Sequence, residues 1–336
     1  MGFHRRLVPS GFDRGAVALC MLSAAAAAFG AVPASAAPHT DTRAEVDRLY
    51  TEAERATQAY DRAGERAGVL RREVGLAQDH IARQQERINT MREALGSLAG
   101  AQYRSGGIDP TVALLFSDDP ADYLDKASTL DRIGARQAAE LKELRSALRQ
   151  LAQERSEAAG KLAELEKSRT AVATHKRTVE QKLAKARRLL NSLPNEQRAA
   201  YERASRDGRL HFPDVSGVVA PDARSASALA AARSALGRPY VWGANGPSGF
   251  DCSGLMQWSY EHAGIQLPRT SQEQRYAGRQ VPLSQARPGD LVVYRSDASH
   301  VAMYVGNGQV IHAPYPGAAV RYDPVGMMPV SSVTRV

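Results

Sequence analysis

Cysteine is nearly missing from this chain, with Cys20 and Cys252 the only two thiols in 336 residues. So few cysteines exclude a disulfide framework and a cysteine-rich metal site. Aromatic residues are also scarce, at 6%, although a hydrophobic content of 43% still allows one real core. Both figures fit one compact domain joined to an elongated, alanine-rich helical region. There is no block of like charge and no RNA- or DNA-binding motif. The net charge of +8 is the residue of 44 basic and 36 acidic side chains. That mixture suits weak attraction to anionic wall polymers or lipid headgroups, and no nucleic-acid partner is expected.

The first residues read as an export signal. His4, Arg5, Arg6 and Arg14 form a basic start, an apolar stretch runs from Ala16 to Val32, and Ala34-Ser35-Ala36 supplies the small residues of a cleavage site. Residues 1–36 are therefore expected to be a signal peptide, and the protein to be secreted and extracellular or cell-wall associated. Arg5-Arg6 leaves the Sec and Tat routes both open. Cys20 lies in the apolar stretch and departs with it, while Val17-Ala18-Leu19 lacks the small residue of a lipobox. Removal of the signal leaves a net charge of about +6. It also leaves one cysteine, Cys252, whose thiol is either buried filler or reactive.

Apolar positions step by four and three from Leu49 to Leu98, with Gln84 the one polar member of the seam. A second register runs from Leu141 to Leu193 and places Arg155, Arg169 and Lys176 at its edge. Such spacing predicts coiled-coil helices. Ser105-Gly106-Gly107 and Asp109-Pro110 break the first helix. The expected architecture is an antiparallel coiled-coil hairpin over 41–205 with its tip near 104–125, followed by a linker over 206–226. A parallel homodimer stays open, and with it the oligomeric state. The hairpin is either a passive spacer or a regulatory arm. Apolar tip residues such as Ile108, Leu115, Phe116 and Leu124 need a cover, from a partner or from the protein's own cleft.

Residues 227–336 change character, with more glycine, proline and aromatic residues and short strands. Cys252 precedes a helix-compatible stretch, Leu255 to His262, so it is expected at a helix N-terminus, where free N–H groups favour a thiolate. His300 to Val305 and Gln309 to His312 read as a hairpin around Gly306-Asn307-Gly308. A three-residue loop pairs Val305 with Gln309, sets Ala302 opposite His312, and makes His300 and His312 diagonal neighbours. A cysteine with one imidazole as base and another as orienter is the arrangement of a cysteine hydrolase. The same three residues as zinc ligands would need a fourth partner, and no metal or other cofactor is expected. The fold class is α+β.

The runs Gly237-Arg238-Pro239-Tyr240-Val241-Trp242-Gly243-Ala244 and Phe250-Asp251-Cys252-Ser253-Gly254-Leu255 resemble the nucleophile region of NlpC/p60 cysteine peptidases. Leu267-Pro268-Arg269-Thr270-Ser271, Pro288-Gly289-Asp290-Leu291, Ser299 to Gly306 and Val310-Ile311-His312-Ala313 extend the likeness over about 100 residues. The resemblance implies a papain-like domain with Cys252 as nucleophile, His300 as general base and acid, and His312 as the polar residue that fixes the His300 ring. It implies Tyr240 beside the oxyanion, and Asp251 and Ser253 in contact with the substrate peptide. Tyr240 as a core aromatic, Asp251 as a helix cap and Ser253 as a first-turn residue are the alternatives. The implied reaction is hydrolysis of an amide in peptidoglycan stem peptides, at the D-glutamyl–diaminopimelate bond, in cell-wall remodelling or cell separation. A coiled-coil adaptor that only holds stem peptides, and an acyltransferase on the same fold, stand beside it. The segment around Leu114 to Leu124 resembles coiled-coil regions of actinobacterial division-associated wall hydrolases, which implies an FtsEX-type membrane complex as partner.

Overall fold

The structure, a computed structural model, describes residues 39–104, 120–210 and 220–336. The expected signal peptide, residues 105–119 of the hairpin tip and residues 211–219 of the expected linker lie outside the described residues. Two long helices come first, α1 (His39–Arg104) and α2 (Pro120–Ser192), then a shorter α3 (Asn195–Leu210). Ion pairs between α1 and α2 fix their direction. Glu45 meets Lys185, Arg66 meets Glu164, His80 meets Glu154 and Arg87 meets Glu143. As one residue number climbs the other falls, so the helices run antiparallel in one hairpin.

Apolar burial stabilises that hairpin, because exposed ion pairs each contribute only about 0–1 kcal/mol. On α1 the seam buries Leu49, Ala53, Ala56, Ala67, Leu70, Val74 and Ile88, and on α2 Leu151, Ala158, Leu165, Val179 and Ala186. The α2 register differs from the sequence expectation at every second step. Leu162 is 46% exposed and Arg155, Arg169 and Lys176 stand in solvent. Their preceding neighbours Glu154, Lys161, Ser168 and His175 are the half-buried ones. The cause is electrostatic: Glu154 reaches His80, Lys161 reaches Glu73 and, one heptad beyond His175, Lys182 reaches Glu52. Leucine spacing alone does not register those cross-helix pairs. Among the described residues no helix is long and apolar enough to cross a membrane.

The second part is α+β. Helix α4 (Ala223–Ser234) begins inside the segment expected as linker, because the Asp222 side chain caps it by accepting from the Ser225 N–H at 2.9 Å. Helix α5 (Cys252–Glu261), a short α6 (Ser271–Gln274) and six strands follow. The strands are β1 (Arg279–Val281), β2 (Leu291–Tyr294), β3 (His300–Gly306), β4 (Gln309–His312), β5 (Arg321–Pro324) and β6 (Val330–Arg335). They form one antiparallel sheet in the order β1-β6-β2-β3-β4-β5. Strand alternation sends Leu291, Val293, Val301, Met303 and Ile311 to a core shared with Leu229, Leu255, Met256 and Tyr260 of the helices. Val292, Tyr294, Ala302 and Val310 form a second cluster on the opposite face.

The β3–β4 turn departs from its expected register and then recovers it. Gly306, not Val305, pairs with Gln309, and a bulge between Tyr304 and Gly306 absorbs the extra residue, so that Met303 faces Ile311. Ala302 therefore still sits opposite His312, and the two histidines share a face. The start of α5 is equally constrained. A Cβ on Gly254 would lie 2.2 Å from the Ala244 carbonyl oxygen and 2.9 Å from the Asn245 Cα. The Gly254→Ala variant is expected to lose about 1–3 kcal/mol, read as a lowered thermal midpoint. An unchanged midpoint would mean that this loop yields freely.

Candidate active site

Cys252 is the first residue of α5, and Asp251 is its cap, accepting from the Gly254 N–H at 2.7 Å. Asp251 is fully buried because Arg269 pairs with it, Nη1 donating to Oδ1 at 3.1 Å and Nη2 to Oδ2 at 2.5 Å. Arg269 Nη1 also donates to Ser253 Oγ at 2.9 Å. Asp251 and Ser253 thus play the local roles of cap and first-turn residue while standing in a polar cluster beside the thiol. Tyr240 is buried near the same cluster. Its hydroxyl is held far above the usual phenol range by burial first, then by the neighbouring Cys252, Glu54 and Asp251.

His300 and His312 meet edge to face, with His300 Nε2 and His312 Nδ1 2.8 Å apart. His312 Nε2 lies 2.8 Å from Asp323 Oδ2 on β5, and Arg321 Nε donates to the same oxygen at 2.8 Å. Burial pushes His312 down to about 4 against the pull of Asp323, so its ring is neutral at ordinary pH. Donor counting then fixes the tautomers. Asp323 accepts, so His312 carries its proton on Nε2, and its bare Nδ1 accepts from His300 Nε2–H. That leaves His300 Nδ1 as the proton-accepting atom, and a nitrogen of the ring lies within 4.8 Å of Cys252 Sγ. Asp323 completes a relay that the sequence reading stopped one residue short of. The Asp323→Ala variant is expected to lower kcat about a hundredfold with little change in KM, since it frees the His312 ring without touching the nucleophile. Unchanged kcat would remove Asp323 from the relay.

The groove over these residues is filled by α1. Glu54 Oε1 is hydrogen bonded to His300 Nδ1, and Glu54 Oε2 accepts from Arg295 Nη1 at 2.6 Å. One turn on, Gln58 Nε2 donates to Ser253 Oγ at 3.1 Å and approaches Cys252 Sγ at 3.7 Å. Gln58 Oε1 accepts from the Ser271 N–H at 2.7 Å. Asp61 Oδ2 stands 3.2 Å from Arg269 Nη2. Glu54, Gln58 and Asp61 are all at least 95% buried. Nothing in the helical spacing singled them out, because they sit beside the hydrophobic seam rather than on it.

This cover changes the state of the thiol. The helix N-terminus suggested a thiolate, but here burial, then the Glu54 and Asp251 carboxylates, push Cys252 well above the ordinary thiol range, opposed by the Val301 N–H. Burial pushes Glu54 up as well, but His300 and Arg295 outweigh it and hold its carboxyl at about 2. Glu54 Oε1 thereby occupies the one ring nitrogen of His300 that His312 leaves open. Glu54, Cys252 and His300 also place three metal-donor atoms within 4.8 Å of one another. The Arg295 guanidinium on Glu54 disfavours a cation at that point.

A cysteine at a helix mouth, a histidine pair on an antiparallel sheet and an acid behind them define a cysteine-peptidase domain. Residues 237–334 match the NlpC/P60 family, so this segment is an NlpC/P60 domain. The chain is 42% identical over 127 residues to a probable endopeptidase of Corynebacterium glutamicum, covering 38% of this chain and 60% of that one. It is 48% identical over 120 residues to the peptidoglycan endopeptidase RipA of Mycolicibacterium smegmatis, covering 31% of this chain and 24% of that one. The match spans less than two thirds of either relative. Among solved structures, the P60 domain of a Mycobacterium avium subspecies paratuberculosis antigen is 37% identical, with 33% of this chain and 93% of that one covered and a TM-score of 0.32.

Proposed function

We propose that the chain is a secreted cysteine endopeptidase that hydrolyses amide bonds in peptidoglycan stem peptides, at the D-glutamyl–diaminopimelate bond, during cell-wall remodelling or cell separation. The observation that carries this reading is the line from Cys252 through His300 and His312 to Asp323 in a domain of the NlpC/P60 family. The endopeptidase names of the relatives support the substrate class.

With the groove open, His300 Nδ1 takes the Cys252 proton and the thiolate attacks the peptide carbonyl. The Tyr240 hydroxyl donates to the oxyanion. His300 then returns the proton to the leaving amine, and water, deprotonated by the same ring, cleaves the thioester. His312 and Asp323 hold the ring in the required tautomer throughout. Asp251 sets the helix mouth, and Ser253 with Arg269 offers polar contacts to the acyl part of the peptide. No cofactor enters these steps. The helical hairpin is proposed to dock on an FtsEX-type membrane complex.

Digestion of purified sacculi followed by mass spectrometry tests the reading. New free amines on diaminopimelate paired with new carboxyl ends on glutamate are expected. Cleavage at sugar linkages, or none from a chain with an open groove, would contradict it; the latter would leave a peptide-binding scaffold.

A further inference from the structure

Lysine is absent from residues 220–336, so arginine carries all their permanent positive charge. Arg269, Arg295, Arg321 and Arg335 are each held by a carboxylate at 2.5–2.8 Å. Arg275, Arg279 and Arg287 form no ion pair among the described residues, yet they gather at one end of the sheet. Arg275 follows α6, and its carbonyl accepts from Thr334 Oγ1 of β6 at 2.7 Å and from Gln280 Nε2 of β1 at 2.6 Å. Arg279 stands directly opposite Arg335 across the β1–β6 ladder. Arg335 reaches Asp290 and the Gln285 carbonyl, and Asp290 in turn accepts from the Arg287 N–H at 2.8 Å.

Like charges directly opposite on neighbouring strands are destabilising. One charge on β1 would suffice to keep a foreign strand from pairing at this edge, and neither Arg275 nor Arg287 lies on the strand. The one acid within residues 271–288 is Glu273, which is turned toward the start of α6, where it accepts from Thr270 Oγ1 at 2.7 Å. Two apolar side chains complete the surface. Tyr276 is 74% exposed, with the Arg275 guanidinium 5.7 Å from its ring centroid, and Leu283 is 41% exposed.

We propose that Arg275, Arg279 and Arg287 form a binding surface for the phosphodiester groups of an anionic wall polymer, which holds the catalytic domain on the wall beside its stem peptides. The surface is distinct from the Cys252–His300 groove, and only its link to stem peptides rests on the endopeptidase reading. Charge selects the partner, because guanidinium groups pair with phosphate in a forked geometry. A strip along a sheet edge fits a linear chain. Two exposed apolar side chains are too few for a face that inserts into a lipid layer, whereas they can lie against the carbon segments between phosphates. Gln274, the neighbour of Arg275, donates to the Ser253 carbonyl at 2.9 Å, so the surface begins close to the nucleophile's helix.

The test measures binding of the full chain to soluble poly(glycerol phosphate) at several salt concentrations. Arg275→Gln with Arg279→Gln and Arg287→Gln is expected to weaken binding at least tenfold and to flatten its salt dependence, because fewer counterions are released. The exposed pair alone, Arg279→Gln with Arg287→Gln, covers the case in which the triple variant misfolds, and is expected to weaken binding at least threefold. Arg224→Gln with Arg238→Gln removes as much charge as that pair elsewhere on the domain and is expected to bind like the wild type. Equal binding by the wild type and a folded surface variant would overturn the proposal, as would an equal loss in the Arg224 and Arg238 control. Tighter binding to phosphatidylglycerol vesicles than to the polymer would also overturn it, in favour of a membrane contact. Polymer binding lost in the surface variants, with no stem-peptide hydrolysis by any chain, would support the surface and remove the endopeptidase reading alone.

Discussion

Replacing Cys252 with alanine in a chain whose arm has been loosened is expected to lower stem-peptide hydrolysis by about a thousandfold or more. Loosening matters, because Glu54 and Gln58 of α1 lie on His300 and Cys252, and a covered site would compress the difference between variants. The Tyr50→Ala and Arg55→Ala pair supplies the background, since these residues meet the catalytic domain through Tyr315 and Asp297 rather than through Cys252 or His300. The size of the effect follows from the poor alternative next door: Arg269 and Gln58 both donate to Ser253 Oγ, and its own proton goes to Asp251 Oδ1, a carboxylate tied up by Arg269. Cys252→Ser is expected to fall nearly as far, because the serine hydroxyl is a much weaker acid than a thiol. Residual activity within tenfold of the parent in Cys252→Ala would remove the covalent route.

The second large effect is a loss of stability in acid carried by Glu54. Its carboxyl is ordinarily near 4.5 and is held at about 2 when docked against His300 and Arg295. A depressed acid contributes stability that is fully present above 4.5 and is lost as pH falls toward 2. For a group this buried the shift corresponds to about 3 kcal/mol. Asp61 has the opposite sign. Burial and the facing Asp251 raise its carboxyl, so its contribution is kept in acid and lost as pH rises through the docked value. Thermal unfolding of the full chain between pH 6 and pH 3, compared with Glu54→Gln, isolates the Glu54 part. The wild type should lose more of its midpoint than the variant over that range, and parallel curves would contradict the assignment.

How far the site could be read in advance depended on distance along the chain. Cys252 was legible because its helix start and the glycine after it have local signals, and the two histidines because strand alternation places them on one face. Asp323 was missed because it enters from β5, whose pairing with β4 follows a loop with no clear spacing. Arg269 lay inside a recognised run but carried no role until its ion pair with Asp251 could be seen. Glu54, Gln58 and Asp61 are close to 200 residues or more from their partners. On a heptad helix they look like ordinary solvated positions. A cluster of polar residues beside an alanine-rich part of the seam was the one available hint. The helical hairpin itself followed from periodicity, but the α2 register shifted because charged side chains choose partners across the seam that leucine spacing does not count. The thiolate expectation failed for a related reason: the helix dipole is local, whereas the carboxylate that outweighs it arrives from α1.

The cysteine site is covered by Glu54 and Gln58 of the same chain, which lie on His300 and Cys252. A crystal structure of the full chain tests it most directly. The Glu54 carboxylate is expected in hydrogen-bond contact with His300 Nδ1 and the Gln58 amide over Cys252. A groove standing open to solvent, with α1 packed elsewhere, would contradict it.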